Sequence, residues 1–205
     1  MVIGFDIGTG SIRLAIHGPE HITKTFTARG YPFDNDGPVY VGEEYLYTRE
    51  SVSLKYAFYL LANVADKSVA QYPMVEKLRQ HDSEAFRQKL RTGILDWFKT
   101  VRRWIFQAPR NDWTIKSLPV TVPAQWGLEF ERVILELLGE AFEWEETMAR
   151  DKISFTKEAD ALANYILATP SLLRTVTDPA ADQVWLVVDY GGHNLVGFPP
   201  LSWSM

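Results

Sequence analysis

The sequence contains no cysteine, which excludes disulfide bonds and metal sites built from thiolates. No apolar run approaches the roughly 20 residues that a membrane-spanning helix requires. Residues 1–6 lack the basic segment and the long apolar segment of a secretory signal. These absences predict a protein of the cytoplasm, with the nucleus as the alternative, and no membrane partner.

An excess of positive charge is also lacking. The 205 residues include 21 Lys and Arg against 26 Asp and Glu, for a formal net charge of -5. Nucleic-acid binding normally requires a basic face, so no nucleic-acid partner is expected. The composition, 46% hydrophobic and 13% aromatic, is that of a folded domain able to bury a substantial core.

The order of patterns along the chain predicts an α/β fold. Three short strands open the chain, a loop rich in Pro, Asp and Gly follows over residues 30–37, and helical periodicity dominates from about residue 48 to residue 107. The second half alternates strand and helix, which is typical of a sheet covered by helices. The predicted strands are Val2–Ile7, Ser11–His17, His21–Thr27, 39–47, 113–122, 152–155 and 184–188, and the clearest predicted helices are 83–105, 126–142 and 157–168.

Two segments combine an apolar strand, an aspartate and a glycine-rich turn. They are residues 3–11, Ile-Gly-Phe-Asp-Ile-Gly-Thr-Gly-Ser, and residues 186–194, Leu-Val-Val-Asp-Tyr-Gly-Gly-His-Asn. Backbone N–H groups approach phosphate oxygens most easily where no Cβ intervenes, and a carboxylate can hold Mg²⁺ through its water shell. Each segment alone is more typical of a hairpin turn after a core strand, but two such segments at the ends of predicted core strands favour a shared function. Neither is a Walker loop, because no Gly-Lys-Ser/Thr follows, and the first leads into a strand rather than the helix of a Rossmann motif.

Four segments resemble the actin-like ATPase superfamily, and its seventy-kilodalton heat-shock branch in particular. Residues 4–9 resemble the first phosphate motif of the superfamily, and residues 189–192 resemble the second. Residues 118–126, Leu-Pro-Val-Thr-Val-Pro-Ala-Gln-Trp, are similar to a strand-to-helix segment of the heat-shock proteins, and residues 157–163 resemble their E-x-x-A-x-A helix start. The order and spacing match the divergent, chiefly eukaryotic heat-shock-like branch over most of residues 1–195.

The resemblance implies a role for each matching residue. Asp6 and Asp189 would hold Mg²⁺ and its waters and would face one another across a cleft. Glu158 would order water near the γ-phosphate, and Lys55 is the candidate for the lysine that the family places there. The residues expected to contact phosphates are Gly8, Thr9, Gly10, Ser11, Gly191, Gly192 and Asn194. An exposed helix lysine and a favourable carboxylate at a helix N-terminus are the alternative interpretations of Lys55 and Glu158.

Two departures from the family predict weak activity. His193 stands where the family has a glycine, and Asn194 stands where it has a threonine, so the phosphate contacts should be poorer. The expected organisation is an actin-like, ribonuclease H-like lobe over residues 1–188, with a helical insertion at about 48–108, and a stub of a second lobe over 189–205. A lobe without its partner lobe is expected to expose an apolar face, which a protein partner or a second copy would cover.

The leading functional hypothesis is therefore a heat-shock-like domain that binds Mg-ATP weakly and shows no ATPase activity above background. A non-enzymatic interaction module or degenerate gene product is the first alternative. A sugar or metabolite kinase of the same superfamily is the second, and the Val-Pro-Ala segment at residues 122–124 favours the heat-shock branch over it.

Overall fold

A sheet that contains both parallel and antiparallel strands forms the centre of the computed structural model. The structure describes residues 1–34, 38–42, 51–63, 72–107, 110–168, 188–190 and 195–197. The sheet has five strands, labelled with all others in chain order: β1 (Val2–Ile7), β2 (Ser11–His17), β3 (His21–Thr27), β6 (Leu118–Val122) and β7 (Ile153–Lys157). Their order across the sheet is β3-β2-β1-β6-β7.

The length of the connections explains the direction of each pairing. Short turns join β1 to β2 and β2 to β3, and both pairs are antiparallel. The long segment between β3 and β6 lets β6 lie parallel to β1, and β7 is parallel to β6. The predicted opening of three strands is confirmed, and so is an α/β fold with a mixed sheet flanked by helices.

The remaining elements are mostly helices. Two short antiparallel pairs of strands lie outside the main sheet: β4 (Arg29–Gly30) with β5 (Tyr40–Val41), and β8 (Val188–Tyr190) with β9 (Leu195–Gly197). The helices are α1 (Leu54–Leu61), α2 (Pro73–Gln80), α3 (Glu84–Ile105), α4 (Leu128–Phe142), α5 (Glu146–Lys152) and α6 (Glu158–Ala168).

The alternation of side chains in the strands directs one face of the sheet into the main core. Every second residue of β1 and β2 is buried, including Phe5 and Leu14, which lie opposite one another in the register. Phe98 of α3 is fully buried and contacts Phe5 edge to face, with ring centroids 5.6 Å apart. The helices α1, α3 and α4 contact one another and cover this face.

The helix α3 has the buried stripe that its sequence predicts. Ser83 begins it, because its hydroxyl accepts a hydrogen bond from the Phe86 N–H at 3.2 Å. Arg87 then ties α3 to the end of α1: it donates to the Leu60 carbonyl at 2.9 Å and binds both carboxylate oxygens of Asp82.

Several boundaries differ from the sequence-based prediction. The strand predicted from residue 113 begins only at Leu118, since the preceding residues flank the chain start, where the Met1 amino group donates to the Thr114 carbonyl at 2.7 Å. The helix predicted from Trp126 begins at Leu128, because Trp126 lies in a turn and donates its N–H to the Pro123 carbonyl at 3.0 Å.

Two other predicted strands lie only partly within the described residues. Of the strand predicted over 39–47, the described part forms β5, and residues 43–50 lie outside the described residues. Of the strand predicted over 184–188, only residue 188 is described. The polar helix α5 was not predicted from the sequence. Within the described ranges, no helix is both long and apolar enough to cross a membrane.

Within the described ranges, only part of the second face of the sheet is covered. The helix α6 contacts β6 and β7 on this side. Beside it lies an open pocket of about 600 Å³, lined on the strands mainly by small or hydroxyl-bearing side chains together with Asp6 and Arg13. The two faces of one sheet therefore have different surroundings.

Candidate functional site

Three parallel strands bring their carboxyl ends to the same edge of the sheet. Asp6 of β1 pairs in register with Thr121 of β6, and Thr121 pairs with Thr156 of β7. Neighbouring strands lie about 4.8 Å apart, so these three positions span about 10 Å. Ligands of α/β sheets commonly bind just beyond such an edge. The segments that follow β1, β6 and β7 therefore define the candidate site.

The turn after β1 carries the predicted phosphate-binding residues. The Gly8 N–H donates to the Ser11 carbonyl at 2.8 Å, and a Cβ at Gly8 would lie 2.9 Å from that oxygen, so the turn requires glycine. The Gly10 carbonyl accepts from the Ala28 N–H at 3.0 Å. Within the described residues, the N–H groups of Thr9 and Gly10 make no backbone hydrogen bond. Two of the predicted donors are therefore available to a ligand.

Asp6 has two neighbours that hold its carboxylate. The Thr121 hydroxyl donates to Oδ1 at 2.7 Å, and the guanidinium of Arg13 lies 3.8 Å from Oδ2. The Asp6 side chain is 32% exposed and lines the open pocket on the second face of the sheet. The carboxylate is thus oriented by the Thr121 hydroxyl, lies near the Arg13 guanidinium and remains partly exposed.

Lys55 and Glu158 form an ion pair that joins two distant parts of the chain. Lys55 lies in the first turn of α1, and Glu158 is the first residue of α6, directly after β7. Lys55 Nζ donates to Glu158 Oε1 at 2.7 Å, and the two side chains are only 13% and 19% exposed. The exposed-lysine alternative is wrong for Lys55, because its side chain is largely buried.

The turn after β6 lies beside this ion pair. Lys55 lines a small pocket together with Pro123, Gln125 and Trp126. Trp126 is 2% exposed and stacks on Phe130 with ring centroids 4.6 Å apart. Pro123 of the Val-Pro-Ala segment and the buried Trp126 therefore form part of the surroundings of Lys55.

The second predicted motif begins on a separate pair of strands. In β8, the backbone of Asp189 pairs with Val196 of β9, so the aspartate of the second motif, like that of the first, lies in a strand. The side chain of Asp189 and the residues Gly191, Gly192 and Asn194 lie outside the described residues. The expectation that Asp6 and Asp189 face one another remains a prediction.

No cluster of three His, Asp or Glu side chains suited to a metal is present in the described part of the chain. This does not conflict with a Mg²⁺ site, because Mg²⁺ keeps several waters and commonly uses only one or two protein carboxylates. Asp6, whose side chain is partly exposed, is compatible with that coordination.

One contact of the site was not predicted from the sequence. Thr121 was assigned no role, although strand alternation places it on the same face as Asp6 and could have indicated the contact.

Comparison with known proteins gives no independent assignment. No protein-family model matches the chain, and no curated protein is significantly similar to it.

Proposed function

We propose that this chain is a heat-shock-like domain of the actin-like ATPase superfamily that binds Mg-ATP weakly at the carboxyl edge of β1, β6 and β7. The proposal combines the sequence resemblance with the geometry of that edge. It goes beyond the fold class, which alone is compatible with many functions.

The Lys55–Glu158 ion pair carries the proposal. The resemblance assigned both residues to the surroundings of the γ-phosphate, although 103 positions separate them in the sequence. Their contact at 2.7 Å, beside Pro123 of the Val-Pro-Ala segment, supports that assignment. A largely buried ion pair can also be purely structural, so the ATP affinity of the variants is the deciding measurement.

Asp6 is the residue of the described part that fits a magnesium ion. Its Oδ1 accepts from Thr121, which fixes the carboxylate while leaving it 32% exposed. Bound magnesium would offset charge on the β- and γ-phosphates. We propose that the Thr9 and Gly10 N–H groups contact those phosphates and that the Lys55 ammonium faces the terminal one.

Weak binding follows from the second motif. His193 replaces a glycine where backbone donors should approach the phosphates, and its side chain would compete for the space of the ligand. Asn194 retains an amide donor in place of a hydroxyl.

The proposal is tested by calorimetric titration of the full chain with Mg-ATP. We expect a dissociation constant well above about 1 µM, the level that corresponds to about -8 kcal/mol. Asp6→Asn and Lys55→Met should each weaken binding about tenfold or more, or about 1.4 kcal/mol. The matched controls Asp112→Asn and Lys99→Met alter exposed residues and should leave the affinity unchanged.

A double variant distinguishes the loss of a binding residue from loss of binding through misfolding. Lys55→Met with Glu158→Leu removes both charges, so it should recover most of the stability that Lys55→Met loses, without recovering ATP affinity. Submicromolar binding, or binding unaffected by Asp6→Asn and Lys55→Met, would contradict the proposed site.

Turnover is tested separately by phosphate release in the presence of magnesium. We expect a rate indistinguishable from background, because a loosely held phosphate chain does not reach the in-line geometry that makes positioning effective. The comparison variant is Asp189→Asn. Activity that is clear in the original chain and absent in the variant would show that the site is catalytically competent.

A non-enzymatic interaction module is the alternative that one observation favours. Among the described residues, α6 covers the β6–β7 side of the second face and leaves the 600 Å³ pocket beside it. An absence of Mg-ATP binding at millimolar concentration would favour this alternative.

A further inference from the structure

The strand β3 forms a long, regular edge of the main sheet. All seven of its residues pair with β2 in one unbroken register, from Ser11 opposite Thr27 to His17 opposite His21. The other edge strand, β7, has five residues and leads directly into α6. Edge strands of this kind can accept a further strand from another chain.

Two backbone hydrogen bonds at the ends of the β2–β3 ladder determine which backbone groups of β3 point outward. The Ala28 N–H donates to the Gly10 carbonyl at 3.0 Å, and the Gly18 N–H donates to the Glu20 carbonyl at 3.2 Å. Hydrogen-bonded and non-hydrogen-bonded pairs alternate along an antiparallel ladder, so the even-numbered residues of β3 bond to β2. Thr23 and Thr25 therefore direct their N–H and C=O groups away from the sheet. No backbone hydrogen bond from another described segment reaches these groups.

The side chains of β3 form two rows, one on each face of the sheet. On the core face, Ile22 and Phe26 are partly buried and flank the exposed Lys24, and Phe26 contacts Trp104 with ring centroids 5.4 Å apart. On the second face, threonines alternate with them. Lys24 Nζ lies 5.8 Å from the Phe26 ring, and none of the carboxylates in the described residues forms an ion pair with it.

The charge of this region differs from that of the whole chain. Residues 11–30 contain three Lys or Arg and one Glu, a formal charge of 3 − 1 = +2, whereas the chain carries -5. A second copy that paired antiparallel about Lys24 would set two ammonium groups opposite one another, which is unfavourable. The edge is therefore complementary to a negatively charged strand.

We propose that the outer edge of β3 binds an extended acidic segment of a partner protein by strand addition. The segment would pair its backbone with Thr23 and Thr25 and place a carboxylate opposite Lys24. Apolar side chains two positions to either side of that carboxylate would extend the Ile22 and Phe26 row. Main-chain hydrogen bonds supply affinity in this type of recognition, and the alternating side chains supply specificity.

The probe is a fluorescently labelled peptide with the sequence Thr-Val-Thr-Glu-Thr-Val-Thr and blocked ends. Its control has Lys in place of Glu. Titration of the full chain, followed by fluorescence anisotropy, should give at least tenfold tighter binding of the Glu peptide. Amide hydrogen exchange should slow at Thr23 and Thr25 when that peptide is bound.

Three variants distinguish strand addition from nonspecific binding. Thr25→Pro removes an outward N–H that no sheet partner uses, and proline is tolerated on edge strands, so peptide affinity should fall at least tenfold. Thr25→Val keeps the amide and should bind normally. Lys24→Glu should reverse the preference, so that the Lys peptide binds at least tenfold more tightly than the Glu peptide.

If Thr25→Pro fails to fold, the Lys24→Glu variant still tests the proposal. Equal binding of both peptides, or a preference that Lys24→Glu leaves unchanged, would overturn the proposal. A concentration-dependent dimer that Thr25→Pro abolishes would identify a second copy as the occupant and overturn it equally. The peptide test does not depend on nucleotide, so it stands or fails separately from the proposed Mg-ATP site.

Discussion

The two faces of the central sheet show how one set of strands supports two different environments. On the covered face, Phe5 and Leu14 lie in a continuous apolar core beneath α1, α3 and α4. On the open face, the neighbouring positions Asp6 and Arg13 line a pocket with threonines around them. The alternation of successive side chains across a strand produces both from the same backbone.

This difference indicates where stability and function reside. The covered face stabilises the fold by removing apolar side chains from water, in proportion to the area buried. The open face holds its polar groups by a few directed contacts, of which Thr121 to Asp6 is the shortest. Substitutions on the two faces should therefore have effects of different size and kind.

The largest expected effect is that of Phe98→Ala on the covered face. Phe98 is fully buried against Phe5, so its truncation should lower the free energy of unfolding by about 3–5 kcal/mol. Thr156→Ala on the open face is the control and should change it by about 0.5 kcal/mol or less. Urea denaturation measures both. Equal losses in the two variants would show that the faces do not differ as described.

Gly93→Ala tests the close packing of the covered layer. A Cβ at Gly93 would lie 2.5 Å from the Val39 Cβ, so we expect a loss of about 1–3 kcal/mol, although alanine favours a helix over glycine. Gly10→Ala is the matched control, because an added Cβ there would meet no atom within 4 Å. Thermal unfolding of both variants measures the difference. A stabilised Gly93→Ala variant would contradict close contact between α3 and residue 39.

Thr121→Val should act mainly on the candidate site. It removes the 2.7 Å hydrogen bond to Asp6 while preserving volume, so the free energy of unfolding should fall by only about 1 kcal/mol. Mg-ATP affinity should fall more than that stability loss can explain, because the carboxylate is no longer oriented. Thr121→Ser, which keeps the hydroxyl, should retain the affinity. Equal affinity in the Val variant would exclude Thr121 as a positioning residue.

The smallest effect is expected at the rim of the helical layer, in Asp82→Asn. Hydrogen bonds from Arg87 hold the pKa of Asp82 below its ordinary value of 3.8. The stabilisation, about 1 kcal/mol or less at this partly exposed site, is therefore complete above that value and is lost as the pH falls through the lowered pKa. The melting temperatures of the variant and the original chain should differ slightly near neutral pH and converge as the pH falls through the lowered pKa of Asp82. A difference that grows on acidification would refute this assignment.

Local patterns predicted the first three strands and α3 closely. In these elements the sequence repeats at two residues or at three to four residues, and turns or caps such as Gly8 and Ser83 mark the ends. The polar helix α5 lacks such a stripe, so its burial depends on one small side chain, Ala149, against α4. Local periodicity could not identify it.

The site was predictable in its residue types but not in its partners. A glycine-rich turn after a buried strand identified Asp6, whereas its contact with Thr121 depends on the parallel pairing of β1 and β6 across 115 positions. The pairing of Lys55 with Glu158 likewise depends on how α1 and α6 meet at the edge of the sheet. Long-range contacts of this kind are set by the whole fold, and no local pattern specifies them.

The position of β1 between β2 and β6 also has a consequence for synthesis on the ribosome. The β1–β3 meander can form as soon as it emerges, because its contacts are local. Its apolar face stays uncovered until the helices that end at residue 105 have been synthesised. The strand β1 lacks its parallel neighbour until residue 122 has been synthesised. At about 5–20 residues per second, that interval is roughly 5 to 20 s. During this time the nascent chain presents the future core to its surroundings, so chaperones that act on emerging chains should have their greatest effect there.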